Sequence, residues 1–413
     1  MRFWPLVGLT GILVLVLISC APGTPQLMAK ETLFSLELGA LEDQIDLFQR
    51  TDQSTPERDR FLFFNGLVLV SDGNARKVME FSSYGDLLTL FYNPDSNLQP
   101  SLGGSATGAG STDQVKNRRA FAYSFNEVGE IGLTDQNQLY VEDRVPAERR
   151  AYDPDLQVVL QSRILRFGHD GKFLDFLGQE GIGGKPFPSL ESLTVTASGE
   201  LVVISRTGRG WAIWWYDRLG ASVNKAVLPY DALPLPEGSA AKALMPQLQA
   251  VRPDWRQRML RVKVDYFQAT QDVTTKTASG IQLSQSRVWT YDLENHSYRK
   301  SYALPVLKRQ KAKGETSEPL GDRPFDFVGS SEGGLDFFVS SPEAGSQRFL
   351  VCRSDGSTAL ERNIELRGAD AAFAQFAVTR TGILVGFLSN GNGAEIAWWR
   401  SDKLLGTNGQ AGF

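Results

Sequence analysis

The chain has few of the residues that carry most metal and nucleophile chemistry. Its 413 residues include two cysteines, Cys20 and Cys352, and two histidines, His169 and His296. A zinc centre built on several histidines needs more ligands than these. The H-E-x-x-H, P-loop and EF-hand patterns are also absent from the sequence. The commonest zinc-enzyme and nucleotide-binding sites are therefore excluded.

The chain also lacks a large excess of charge of either sign, and it has no long apolar run. The 43 basic and 47 acidic side chains give a formal charge of -4, and no basic block is long enough to follow a phosphate backbone. We therefore expect no nucleic acid partner. The apolar run at residues 6–18 is shorter than the ~20 residues that a membrane-spanning helix needs. With 42% hydrophobic residues, the chain has enough apolar material for a large globular core.

The N-terminus contains the pattern of an export and anchoring signal. Arg2 precedes the apolar run, and residues 17–20, LISC, resemble a bacterial lipobox, in which the cysteine is acylated and becomes the mature N-terminus. We expect a signal peptide over residues 1–19, lipidation of Cys20 and a lipidated tether over residues 20–32. An ordinary secretory signal that happens to end in a cysteine is the alternative.

Acylation of Cys20 would leave Cys352 as the one remaining thiol. No internal disulfide is then expected, although an exported chain could form one. The surrounding sequence, RFLVCRSDG, has the pattern of a strand. We therefore predict that Cys352 is a small buried hydrophobe without a chemical role.

One sequence unit recurs six times along the rest of the chain. Each copy is a short apolar strand that ends in a bulky residue, followed four positions later by a turn residue and then by a second strand. The bulky residues are Phe81, Phe167, Tyr216, Tyr291, Cys352 and Trp399. The turn residues are Gly85, Gly171, Gly220, Asn295, Gly356 and Lys403. Because glycine and asparagine tolerate a positive φ, five copies have suitable hairpin chemistry, and the sixth copy is truncated.

Most copies follow another strand pair with its own turn, as in FLFFNGLVLVSD and LTVTASGELVVIS. The fourth copy has only the continuous run LRVKVDYFQAT in that place. Three or four strands per repeat at uneven spacing predict an all-β fold, a β-propeller of six blades. Because the sixth copy lacks its outermost strand, we predict that residues 33–48 supply it and close the ring. A helix over LEDQIDLF is the alternative for part of this segment.

The propeller is expected to be a single domain over residues 33–413. Four loop insertions are predicted within it, at residues 93–120, 144–161, 230–253 and 306–324. In the third of these, EGSAAKALMPQLQAV is expected to hold one short helix broken by Pro246. Long loops on a rigid ring are where such a fold would carry function.

Two stretches of the chain resemble NHL repeats. Residues 162–205 contain a strand, a D-x-G turn, a G-x-x-G loop, phenylalanine and proline, and then a strand pair. Residues 66–90 look like the same repeat entered at a different point. With the lipobox and the opening LFSLELGALEDQIDLF, the chain resembles the NHL-type propeller lipoproteins of spirochaetes. The resemblance implies a six-bladed extracytoplasmic scaffold, and it implies no catalytic residues because NHL motifs are mainly structural.

Candidate ligand-binding residues stand where predicted strands end. Asp72, Asp143 and Asn390 close strands of this kind, and some propellers of similar shape are lactone hydrolases that hold calcium with acidic and asparagine side chains at the channel. Arg206 stands at the matching place in the third blade and would oppose a metal ion. Carboxylates that cap turns are the alternative interpretation, so no metal, cofactor or catalytic residue is assigned.

A tryptophan pair, Trp214 and Trp215, stands in a predicted strand, as does a second pair at residues 398–399. Because neighbouring side chains in a strand point to opposite faces, we predict that these rings pack between blades. The alternative is an aromatic platform for a sugar or peptide, with Arg209 and the preceding arginine of RTGRGW beside it.

Two functions of different classes remain open. The favoured one is a lipid-anchored scaffold that binds an envelope protein or glycan, at the cell membrane or outer membrane and facing the periplasm or the exterior. The alternative is a calcium-dependent, lactonase-like hydrolase with its site at the central channel. Acids clustered at one mouth of the channel would favour the hydrolase, and a broad apolar or aromatic patch would favour the scaffold.

Overall fold

The computed structural model describes residues 25–47, 59–101, 118–238, 243–271, 277–307, 322–341, 346–366, 373–390 and 392–406. The described residues form six sheets of four or five strands, which follow one another in sequence order, and one additional two-stranded hairpin. The predicted all-β fold, a β-propeller of six blades, is therefore confirmed.

The chain begins with two strands that lie outside the repeats, β1 (Leu27–Met28) and β2 (Glu31–Leu36). Blade 1 follows with β3 (Arg60–Phe64), β4 (Leu67–Asp72), β5 (Lys77–Ser82), β6 (Leu87–Tyr92) and β7 (Arg119–Ala122). Blade 2 holds β8 (Val128–Leu133) and β9 (Leu139–Arg144), the separate hairpin β10 (Ala151–Asp153) and β11 (Val158–Leu160), and then β12 (Ser162–Phe167), β13 (Phe173–Gly178) and β14 (Gly181–Ile182).

The remaining blades are more regular. Blade 3 consists of β15 (Leu190–Val195), β16 (Leu201–Arg206), β17 (Gly210–Tyr216) and β18 (Ser222–Pro229). Blade 4 consists of β19 (Met245–Pro253), β20 (Met259–Gln271), β21 (Ala278–Asp292) and β22 (Ser297–Leu304). Blade 5 consists of β23 (Phe325–Ser330), β24 (Asp336–Ser340), β25 (Ser346–Cys352) and β26 (Thr358–Glu365). Blade 6 consists of β27 (Phe373–Val378), β28 (Leu384–Asn390) and β29 (Gly393–Trp399), followed by helix α1 (Ser401–Leu405).

The first strand of each blade, called here the inner strand, faces the centre of the ring. Neighbouring inner strands contact one another, for example β3 with β8 and β23 with β27. The turn that joins an inner strand to the second strand of its blade is called the A–B turn. All six A–B turns lie at the same end of the channel, because each blade repeats the same up-and-down connection.

Six clusters of buried hydrophobic side chains fill the six interfaces between neighbouring blades. Trp214 belongs to the cluster between blades 2 and 3, and Trp215 belongs to the one between blades 3 and 4. Adjacent strand residues thus serve opposite faces of one blade, as the alternation of side chains requires. The core is a ring of interfaces rather than one central mass.

The N-terminal segment closes the ring, as the sequence predicted. Strand β2 pairs antiparallel with β29 and supplies the outermost strand of blade 6. Its Phe34 and Leu36 are buried in the cluster between blades 6 and 1. The sequence did not predict β1, which pairs in parallel with β26 at the outer edge of blade 5. Residues 41–47 form turns and a bridge between Leu38 and Ile45, so the helical alternative is wrong.

The turn prediction holds at four of its positions. Gly85, Gly171, Gly220 and Gly356 all have a positive φ, between 78° and 89°. In the fourth copy the positive φ falls on His296, at 46°, and not on Asn295. The lysine of the sixth copy, Lys403, lies in α1 rather than in a hairpin.

Three stretches differ from the sequence analysis. The span expected to be a tether already contains β1 and the first residues of β2. The stretch expected to hold a helix around Pro246 is strand β19, where described. A proline is tolerated there because β19 is an edge strand that pairs on one side only. The insertion at residues 144–161 forms the β10–β11 hairpin, and much of the insertions at 93–120 and 306–324 lies outside the described residues.

Helical structure is scarce in the described part of the chain. Its one α-helix, α1, has five residues. No helix there has the length and apolar character needed to cross a bilayer.

Candidate functional site

The centre of the ring contains a cavity of about 440 Å³. Residues of all six inner strands line it, so every blade contributes to its wall. Pockets that bind small molecules commonly measure ~300–1,000 Å³. The channel is therefore large enough for a small ligand or for the end of a longer one.

Four charged side chains lie in the wall of the channel, among apolar and uncharged polar residues. They are Arg60, Glu130, Glu191 and Arg252, one from each of blades 1 to 4. Glu130 stands in a β-bulge between Val128 and Ile131, and Glu191 stands in one between Leu190 and Ser192. A bulge redirects a side chain out of the regular alternation, which explains how two carboxylates reach the channel from strands that otherwise pack between blades.

Three of these four charges are compensated by neighbours. Arg60 forms an ion pair with Glu130. Burial lowers the pKa of Arg60, but the carboxylates of Glu130, Glu142 and Asp59 together outweigh burial, so the pKa of this guanidinium is raised. Glu191 accepts a hydrogen bond of 2.7 Å from Arg206 at the rim of the site.

Arg252 is the exception among the charges of the channel. Its Nε donates to the carbonyl of Val328 at 3.3 Å, and its Nη1 donates to the carbonyl of Val251 at 3.1 Å. Among the described residues no carboxylate is in ion-pair contact with it. Burial lowers the pKa of Arg252, against the attraction of Glu191 and Glu130. The channel thus contains one guanidinium whose charge the described residues do not neutralise by direct contact.

Two further polar groups in the wall have no partner within the described structure. The hydroxyl of Ser192 and the side-chain oxygen of Gln375 are buried without a hydrogen bond, and both residues line the cavity. Most buried polar groups are hydrogen-bonded, because a buried donor or acceptor without a partner costs roughly 1–3 kcal/mol. These groups are therefore suited to meet a ligand or water in the channel.

Side chains from different blades contact one another across the mouth of the channel at the A–B turns. Arg380, in the A–B turn of blade 6, pairs at 3.2 Å with Asp135 of blade 2 and at 3.2 Å with Glu332 of blade 5. Its guanidinium also lies 6.0 Å from the ring centroid of Trp255. The Trp255 indole donates in turn to the carbonyl of Ser330. These contacts join the turns of four blades across this mouth of the channel.

The structure gives the predicted carboxylates Asp72 and Asp143 local partners instead of a shared site. Asp72 accepts from the backbone N–H groups of Asp46 and Ala75, at 2.9 and 2.8 Å. Asp143 accepts from two backbone N–H groups and from Arg163 at 3.2 Å. Burial raises the pKa of both carboxyls, against these hydrogen bonds. Both residues thus have the contacts of turn-capping groups.

The four residues predicted at matching strand ends also differ in their register within the strands. They are Asp72, Asp143, Arg206 and Asn390. Asp72 and Asp143 stand four residues beyond Val68 and Leu139, the partners of the bulky repeat residues Phe81 and Phe167. In blade 3 the partner of Tyr216 is Leu201, so Arg206 stands five residues beyond it. In blade 6 the partner of Trp399 is Leu384, so Asn390 stands six beyond it. Since one residue along a strand reverses the direction of the side chain, Arg206 does not share a face with the two aspartates.

The remaining predicted residues lie at the surface or between blades. Arg206 is exposed and stacks on Trp211 at 4.9 Å from the ring centroid. Arg209 is exposed in the following turn. Trp214 and Trp215 are fully buried, so neither forms a platform at the surface. Cys20 lies outside the described residues.

A metal centre finds no support in the described part of the chain. It contains no group of three or more His, Cys, Asp or Glu side chains that could hold a metal ion. The calcium hypothesis needs such a group of oxygen ligands.

The sequence analysis missed the channel residues. The available signal was a lone charge inside an otherwise apolar first strand, as in RFLFF, VGEIGL and LESLTV. From sequence alone, such a charged residue is interpreted as a solvent-facing position of an edge strand. Its role is recognised only when the strand is known to face the centre of the ring.

Solved structures of low similarity align with most of the chain. An ulvan lyase of polysaccharide lyase family PL25, bound to -[GlcA(1-4)Rha3S]-, is 9% identical over 90% of this chain and 83% of its own, with a TM-score of 0.40. The Dos1 propeller is 11% identical over 90% and 85%, with a TM-score of 0.31. The β-propeller domain of the Trilobed protease from Pyrococcus furiosus, which has an open velcro topology, is 9% identical over 84% and 95%, with a TM-score of 0.38.

No family model and no curated protein sequence matches the chain. All three TM-scores lie below 0.5, so these likenesses carry no information on function. The chain is a six-bladed β-propeller whose central channel is lined by both charged and apolar side chains.

Proposed function

We propose that this chain is a binding propeller of the cell envelope, anchored by acyl chains on Cys20, that takes a protein or glycan ligand into its central channel. The observation that carries the proposal is the channel itself. It combines a guanidinium without a carboxylate partner with buried polar atoms without hydrogen bonds, among the described residues. These are features of a site that a ligand completes. The rigid ring of blade interfaces would hold the site without a conformational change.

The resemblance to NHL-type propeller lipoproteins of spirochaetes supports an extracytoplasmic scaffold of this kind. In residues 162–205 the D-x-G turn joins β12 to β13, and the final strand pair is β15 with β16. The repeat thus runs from the outer half of blade 2 into the inner half of blade 3, which gives the NHL-like residues a structural role.

A glycine in the channel wall allows a direct test of the site. A Cβ added at Gly329 would meet no heavy atom closer than 3.9 Å, so a leucine there can extend into the cavity. We expect Gly329→Leu to abolish retention of envelope glycans or peptides on the immobilised, folded protein. Gly333→Leu, in the exposed turn of the same blade, is the matched control and should retain them. Equal retention by both variants would exclude the channel as the site.

The lipid anchor has its own test. Cys20→Ala should abolish labelling of the expressed chain with a palmitate analogue and move the chain out of the detergent phase, because two acyl chains are what hold such a protein at a membrane. Cys352→Ala is the control, since it removes the other cysteine and should leave labelling unchanged. Continued detergent partitioning of the Cys20 variant would contradict the proposal.

A further inference from the structure

We propose that the ligand group bound in the channel is a single carboxylate, received by Arg252. This inference rests on the proposal that the channel is the ligand site and names the chemistry that it recognises. Its motivation is the combination of charge, geometry and unpaired polar atoms around this one side chain.

The charges of the channel fit a monoanion. Arg60 pairs with Glu130, and Glu191 pairs with Arg206, so these four charges cancel in two contacts. Arg252 remains with a positive charge, since a guanidinium is not deprotonated in proteins. A group with one negative charge would complete the balance. A dianion such as phosphate would bring a second negative charge close to two glutamates, which disfavours it.

The donors left on Arg252 match the shape of a carboxylate. A guanidinium has five N–H donors, and two of them bond the carbonyls of Val328 and Val251. Three donors therefore remain without a partner in the described structure, and Nη2 contributes two of them. A planar carboxylate accepts two parallel N–H bonds from such a fork, which a hydroxyl or a carbonyl cannot do.

The two carbonyl bonds also position the guanidinium before a ligand arrives. They come from neighbouring blades, because Val251 precedes Arg252 on β19 and Val328 lies on β23. Val328 stands in the bulge between Phe327 and Gly329, which turns its carbonyl out of the sheet ladder. Two of the three guanidinium nitrogens of Arg252, Nε and Nη1, are thus held in place. Less side-chain entropy is therefore lost when a carboxylate binds.

Two unpaired groups elsewhere in the wall can contact the rest of the ligand. Ser192 offers a hydroxyl from blade 3, and Gln375 offers its side-chain oxygen from blade 6. The hydroxyl donates or accepts, whereas the amide oxygen only accepts. A carboxylate attached to a backbone amide or to a sugar hydroxyl would supply the N–H or O–H donor that this oxygen lacks.

The carboxylate can come from a peptide or from an acidic sugar, and the experiment separates these sources. The folded protein is titrated with N-acetylglycylglycine and with its C-terminal amide, and separately with galacturonate and with galactose, following the midpoint of thermal unfolding. A ligand that binds the native state raises this midpoint with increasing concentration. We expect the acid of at least one pair to raise it and the neutral partner of that pair to leave it unchanged.

Variants connect the effect to the residue. Arg252→Gln should weaken binding of the active acid at least tenfold, because a hydrogen-bonded charge pair is lost. Arg209→Gln, at an exposed arginine outside the cavity, should bind the acid like the unaltered protein. Arg252→Lys keeps the charge but loses the fork, so it should bind more weakly than the unaltered protein and more strongly than Arg252→Gln.

Three results would overturn the inference. In the first, neither acid shifts the unfolding midpoint. In the second, an acid and its neutral partner bind equally well. In the third, Arg252→Gln folds and binds the acid unchanged. Loss of envelope ligands in Gly329→Leu together with any of these results would keep the channel as the site and reject only the carboxylate.

Discussion

Cys352 lies in the interface between blades 4 and 5, with no exposed surface. Burial, together with the nearby Asp336, raises the pKa of its thiol to about 12. The thiolate is the reactive form, so the native side chain is protected both by exclusion of reagent and by lack of ionisation. The prediction from its strand pattern, a buried hydrophobe, is confirmed.

We expect iodoacetamide at pH 8 to label Cys352 only as fast as the protein unfolds. A control with Leu219→Cys, at a turn position that is 77% exposed, should be labelled within minutes. Rapid labelling of Cys352 in the folded protein would show that the interface between blades 4 and 5 opens locally.

A second residue-scale test uses the close packing between β28 and Trp399. A Cβ added at Gly386 would lie 2.9 Å from Cζ3 of Trp399, which is fully buried. Gly386→Ala should therefore lower the free energy of unfolding by roughly 1–3 kcal/mol in urea titrations, as overpacked cores do.

The rescue of this variant distinguishes overpacking from a general defect. Trp399→Phe removes the part of the indole that the new methyl group would meet, so the double variant should be less destabilised than the sum of the two single variants. Gly329→Ala, with nearest atom at 3.9 Å, is the control and should stay within about 0.5 kcal/mol of the parent. Strict additivity would mean that Gly386 and Trp399 do not compete for space.

At the scale of elements, the two N-terminal strands have unequal roles. Strand β1 adds two residue pairs at the outer edge of blade 5 and buries Met28. Strand β2 adds five pairs to blade 6 and buries Phe34 and Leu36 against blade 1. The Phe34 ring also lies 5.4 Å from that of Phe81, so β2 joins two blades at once.

Truncation should therefore give graded effects. A chain that begins at residue 30 loses β1 and should unfold cooperatively at a moderately lower urea concentration. A chain that begins at residue 37 also loses β2, and blades 6 and 1 should then lose protection in hydrogen exchange together. Phe34→Ala, which leaves the backbone intact, should cost about 3–5 kcal/mol. Equal stability of the two truncated chains would contradict the closure by β2.

The sequence predicted the elements better than the site, and for a physical reason. The turns at Gly85, Gly171, Gly220 and Gly356 are local, since each needs only a residue that tolerates a positive φ. The charges of Arg60 and Arg252 acquire their role from the closed ring, which brings β3 and β19 to one cavity. No local pattern contains that information. Asp72 and Asp143 were conspicuous because they end apolar strands, but their partners are the local backbone.

At the scale of the whole molecule, calcium provides a test between the two function classes. Asp72 and Asp143 already accept hydrogen bonds from backbone N–H groups, and Arg163 pairs with Asp143. A cation would have to displace these contacts. We therefore expect the unfolding midpoint of the mature domain to be the same in chelator and in millimolar calcium. A calcium-dependent rise that is lost in Asp72→Ala or Asp143→Ala would favour the hydrolase.

The position of β2 in the chain also decides when the ring can form. Lys30 and Glu395, which form an ion pair, are 365 residues apart, and Thr32 pairs with Ala397 in the adjoining ladder. At roughly 5–20 residues per second, a ribosome takes about 20–70 s to make the chain between them. During that time β2 cannot pair with β29, which has not yet been made. A strand with an unpaired edge is prone to pair with another chain. Strand β2 is thus made before the strand with which it pairs, and such long-range contacts make assembly slow.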